Sequence, residues 1–232
     1  MPKFSSFNAF GSRSIEGANH LPVWLGFPKP VPVGGTLAAA YCQKGLLLGA
    51  GFPVKLASKT ITPFVGWEVV SMSTVSSDDV IVIKPAVLGG VTILPEVGDL
   101  IQKVGSTFAA TGKAAEVTAV AALTGADAGK YSVTVLHSAT IDSASAGDVI
   151  TISAADAAGS SKSIKVQPNG YLYNDIYFGD LEGDPDTAKT LAASGAVIVN
   201  HPEGILIQLA PAAYAVKAQL AAAVPGVYQV IN

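Results

Sequence analysis

The sequence predicts an α+β fold dominated by β-structure, and three observations lead there. Short apolar runs broken by Gly, Pro, Asp and Ser fill the chain from Gly45 onward. One phrase, an acidic turn followed by a β-rich run, returns as DDVIVIKP from Asp78, GDLIQKV from Gly98 and GDVITIS from Gly147. A single stretch, PAAYAVKAQLAAAV from Pro211 to Val224, reads as a helix: Pro211 suits a first helical turn, and Pro225-Gly226 stops the run.

Taken in order, residues 1–33 read as an extended arm, because the prolines of LPVWLGFPKPVPVGG are spaced so that no helix runs through it. Its aromatics Phe4, Phe7, Phe10, Trp24 and Phe27 are costly to leave in water, so they are expected to bind a partner or pack on the body. Strands follow in GLLLGAGFPVKLA, TITPF and WEVVSM. Residues 76–154, which hold the three acidic phrases with AAEVTAVAAL and KYSVTVLHS between them, read as a small antiparallel barrel or sandwich. Beyond it, SIKVQ, YLYNDIYFG, AVIVN and ILIQL are expected strands. In the helix, Ala213, Val216, Leu220 and Ala223 share a face predicted to cover a sheet, and Tyr214, Lys217 and Ala221 share another.

Composition removes several function classes. The 232 residues are 50% apolar and only 13% charged, with a formal net charge of −3. Lys and Arg are scattered singly, so no basic field favours nucleic acid. A chain so poor in charge is expected to hide surface against copies of itself. No apolar run is long enough for a signal-peptide core or a membrane span, and a soluble protein made in a cytoplasm is expected. The single cysteine, Cys42, rules out an internal disulfide framework and reads as a small apolar filler.

Motif by motif, the chemistry is thin. In VIVNHPEGILI the pair His201 and Glu203 invites an acid–base reading. Pro202 and Gly204, however, occupy the second and fourth positions of a type I turn, predicting a hairpin between AVIVN and ILIQL. The phosphate-loop lookalikes fail on spacing: Gly105 stands seven residues before Gly112, and Ala114 takes the place of a magnesium-binding hydroxyl. In DLEGDPDT, Asp180, Glu182, Asp184 and Asp186 read as a solvated turn, with a weak calcium site as the alternative. No G-x-S-x-G is present. No catalytic residue, metal ligand or cofactor is expected.

Three stretches carry a resemblance: GLLLGAGFPVKLASKTITPF (45–64), EVGDLIQKVG with AAEVTAV, KYSVTVL and AGDVITIS (96–153), and QPNGYLYNDIYF (167–178) ahead of GAVIVNHPEGILI (195–207). In these the chain resembles the head fibre or capsid decoration proteins of tailed bacteriophages, of the Bacteroides and crAss-like phage type. The resemblance implies that 76–154 is inserted into a discontinuous mixed domain built from 34–75 and 155–232. It also implies a non-enzymatic virion component, a homo-oligomer taken as a trimer, bound to the major capsid protein on the outer capsid surface. The alternative is a receptor- or carbohydrate-binding fibre module. There Tyr171, Tyr173 and Tyr177, odd-numbered on one strand and so on one face, form a platform for a host-surface glycan; otherwise they pack in the core or against a sister subunit.

Overall fold

The computed structural model describes residues 23–26, 28–31, 34–41, 45–75, 77–89, 91–137, 141, 143–178 and 194–230. Phe4, Phe7, Phe10, Phe27, Cys42 and the acidic stretch Asp180–Asp186 lie outside them. The chain begins in an outer body with strands Gly35–Leu37 (β1), Leu46–Leu48 (β2), Pro53–Ala57 (β3) and Thr60–Pro63 (β4). It then enters a barrel through Gly66–Val75 (β5) and Asp78–Ile83 (β6). A small hairpin follows, Ala86–Leu88 (β7) with Val91–Ile93 (β8). Leu100–Lys103 (β9), Gly112–Lys113 (β10), Ala115–Ala122 (β11), Tyr131–Leu136 (β12), Val149–Ile152 (β13) and Ser161–Lys162 (β14) come next. The return to the outer body runs through Gly170–Leu172 (β15), Ile176–Phe178 (β16), Ser194–Gly195 (β17), Val197–Ile198 (β18) and His201–Leu206 (β19). Two short helices, Pro211–Tyr214 (α1) and Lys217–Ala223 (α2), precede the last strand, Val227–Val230 (β20).

The fold is β-dominated, as the sequence predicts, and its middle is a closed six-stranded barrel in the order β11-β12-β6-β5-β13-β9. Every pairing in it is antiparallel. Closure leaves no unpaired strand edge. The side-chain period of two fills the interior: in β6, Asp79, Ile81 and Ile83 are buried while Asp78, Val80 and Val82 are half-exposed. Trp67, Val69, Ile101, Val133 and Val135 complete the apolar filling, and the Trp67 indole N–H donates to the Ile93 carbonyl at 2.9 Å. The outer body holds a second sheet ordered β17-β1-β4-β3-β15-β18. One apolar cluster runs from the barrel's Trp67 and Ile81 to Leu46, Ile61 and Leu172 of the outer body, so the two parts share a core.

Three expectations are corrected. The expected boundary after residue 75 falls too late, because β5 is a barrel strand from Gly66. YLYNDIYFG is two strands in different sheets, β15 against β3 and β16 against β2. Asn174 and Asp175 break it: Asp175 Oδ1 accepts from the Ala50 N–H at 2.7 Å and Asn174 Oδ1 from the Ala196 N–H at 3.3 Å, side-chain bonds that replace the ladder. The C-terminal helix is interrupted at Ala215–Val216, where Val216 takes φ −123° and ψ 27°. Ala213, Val216 and Leu220 are buried as expected, but Ala223 is exposed and Val224 takes its place. Among the described residues no helix is long and apolar enough to cross a membrane.

An ion pair on the barrel sets a pH dependence. Burial pushes the Asp148 carboxyl up, but bonds from the Lys103 ammonium, 2.8 Å away, and the Ser145 N–H outweigh it and hold the group below the ordinary carboxylate value. A lowered folded value stabilises the protein above the unfolded carboxylate range, near pH 4, and that stabilisation is lost as pH falls through the folded value. Lys103→Gln is therefore expected to melt slightly below the wild type at pH 6, with the gap closing toward pH 3. Melting curves of both across that range check it, and a gap independent of pH contradicts it.

Candidate functional site

The HPEG stretch is not a hairpin tip. It lies inside β19, which pairs in parallel with β20 through His201↔Val227 and Ile205↔Gln229, and the register shifts between those two pairs. That irregularity absorbs Pro202 and Gly204, which takes φ +100°. His201 is buried, at 3% exposure, whereas Glu203 is exposed, so they form no acid–base pair. The His201 Nε2–H donates to the Leu25 carbonyl, and its N–H donates to Gly226 O at 2.7 Å. Because a carbonyl only accepts, this contact requires the proton on Nε2.

The partner of that bond belongs to the expected arm. Trp24 bridges antiparallel to Ile205, Leu25 N donates to Gly204 O at 3.1 Å, and Leu206 N donates to Val23 O at 2.8 Å. The Trp24 ring, 8% exposed, meets Tyr171 and His201 edge-on, and its N–H donates to Tyr173 O at 3.1 Å. Farther along, Val31 N donates to Val197 O at 2.8 Å. The arm boundary at residue 33 is thus corrected: the chain is fixed to the body from Val23, and Trp24 is a core residue.

The three tyrosines do not share a strand face. Tyr171 is fully buried, Tyr173 is half-buried in the turn after β15, and Tyr177 lies in β16. Burial pushes the Tyr171 phenol up, and the Gln229 amide that donates to its oxygen at 3.2 Å works the other way. A stacking platform needs exposed rings, and Tyr171 has none to offer a sugar.

One constellation escaped the sequence reading. At one end of the barrel the buried Asp79 carboxylate accepts from Thr74 Oγ1 at 2.7 Å and meets His137 Nδ1 at 2.9 Å. The signal was in DDVIVI, where Asp79 shares parity with the inward Ile81 and Ile83. The dyad orients the half-exposed His137 ring, as in many hydrolases, but no described serine or thiol lies in hydrogen-bond contact with that ring. The dyad ties the end of β12 to the β5–β6 turn, with the His137 N–H donating to Ser77 O at 3.1 Å. Among the described residues no cluster of His, Cys, Asp and Glu is assembled to hold a metal. No family model, curated protein or solved structure matches the chain.

Proposed function

We propose that the protein is a non-enzymatic structural component of a virion, a homo-oligomer that decorates the outer surface of a phage capsid. The observation that carries this reading is the uneven distribution of charge. The four described lysine–carboxylate pairs, Lys84–Glu68, Lys103–Asp148, Lys130–Asp127 and Lys162–Asp156, lie on the barrel or the segment that leaves it. Among the described residues of the outer body, Lys55, Lys59 and Glu203 stand singly, and its exposed large apolar side chains include the aromatic Tyr214 and Tyr228, whereas those of the barrel and its connections, Val75, Val97 and Leu136, are aliphatic. A charge-poor surface with aromatic side chains suits permanent contact with sister copies and a capsid, and a barrel covered in ion pairs suits water. The outer body then faces the lattice and the barrel projects. Light scattering is expected to give a stable oligomer, a trimer, whose mass is unchanged between low and high salt, since apolar contacts persist where charges are screened. Co-sedimentation with empty capsids tests the second half. A chain that stays monomeric at every accessible concentration, or that leaves capsids bare, overturns the proposal.

A further inference from the structure

We infer that the chain's own N-terminal segment, residues 1–22, docks into a largely apolar groove where the outer body meets the barrel, with side chains from among Phe4, Phe7 and Phe10 filling its two cavities. The groove consists of two adjoining cavities of about 210 and 200 Å³ that share Phe52, Val87, Leu88 and Ala212, the first lined also by the barrel's Val149 and the Lys84–Glu68 ion pair. Leu209 and Ala213 extend its floor beside α1. Val87 stands 60% exposed at its edge, an apolar side chain with little cover. Each cavity is large enough for one aromatic side chain.

The course of the described chain names the occupant. Around Trp24 the first described residues run antiparallel to β19, with Leu25 opposite Gly204 and Val23 opposite Leu206. Val23 thus lies opposite Leu206, next to the 3-10 turn Ile207–Leu209 that leads to Ala210 of the groove lining. Val23 stands beside that residue: its Cγ1 and the Ala210 Cβ lie 2.6 and 3.2 Å from where a Cβ on Gly51 would stand. Chain at up to about 3.3 Å per residue reaches any part of the groove from there. The segment carries three phenylalanines at three-residue spacing, and burying each is worth roughly 1.5–3 kcal/mol. A tether of this length holds the segment at an effective concentration in the millimolar range, which favours the chain's own segment over that of a second copy. The inference stands apart from the virion reading, since it concerns what covers one face of a single chain.

Cysteine cross-linking tests it in the full-length protein. In a Cys42→Ala background, Ala9→Cys is paired with Val87→Cys, which leaves all three phenylalanines in place, and treated with a short bismaleimide. The expected result is a cross-linked product at the mass of one chain, whose yield collapses when Phe4, Phe7 and Phe10 are all changed to serine. An equal yield from the serine variant means random encounter and overturns the inference. So does a product of twice the mass, which assigns the groove to a second copy, and so does the absence of any cross-link between two labelled cysteines.

Discussion

Trp24→Ala is expected to destabilise the protein by about 3–5 kcal/mol, the range for removing a large buried aromatic. The ring is 8% exposed, packs edge-on against Tyr171 and His201, and gives its only N–H to the Tyr173 carbonyl. Truncation removes the apolar area, leaves a cavity over β15 and β19, and strands that carbonyl without its donor. Trp24→Phe keeps much of the volume and loses the hydrogen bond, so it is expected to cost clearly less. Urea unfolding of the three proteins measures the ordering, and the signal is simple to assign because the only other tryptophan is Trp67. An alanine variant within about 1 kcal/mol of wild type would show that residues 23–26 are an ornament on the fold rather than part of its core.

Gly204→Val is expected to be of similar severity, about 3–5 kcal/mol, or to prevent folding altogether. Two causes add. The residue has φ +100°, which a β-branched side chain resists, and an added Cβ would sit 2.8 Å from the Tyr228 carbonyl oxygen on β20. Backbone cannot swing aside as a side chain does. Gly98 separates the two causes: its φ is +93° but nothing lies within 4 Å of an added Cβ. Gly98→Ala is therefore expected to cost only the conformational term, about 1–2 kcal/mol, and Gly204→Ala distinctly more. Equal losses at the two sites would show that crowding against β20 plays no part.

Much of the barrel was legible because its signals are local. A period of two in DDVIVI and KYSVTVL and glycine turns before GDLIQKV and GDVITIS specify strands irrespective of what lies elsewhere. The outer body was less legible because its decisions are made over distance. Nothing in HPEG announces that β20, beyond two helices, will pair beside it and turn an apparent hairpin tip into a strand interior. Nothing in YLYNDIYFG shows that Asn174 and Asp175 will find backbone partners at Ala196 and Ala50. The arm was misjudged for a related reason: proline spacing excludes helix and sheet ladders but says nothing about an isolated bridge such as Trp24↔Ile205. The dyad at Asp79 was legible in parity and overlooked, since an acidic residue beside another acidic residue reads as a turn.

The barrel's first and last strands lie side by side, with Gly66 opposite Thr151. The outer sheet, meanwhile, must join Val54 to Gly170, residues more than a hundred positions apart. An open chain of that length pays roughly 4 kcal/mol of entropy to bring its ends together; once the barrel has closed, only the short connections on either side remain loose, and the cost drops by roughly 1.5 kcal/mol. The barrel thus acts as a splice. It converts a remote pairing into a nearly local one, and the core it shares with the outer body holds the two ends in that register.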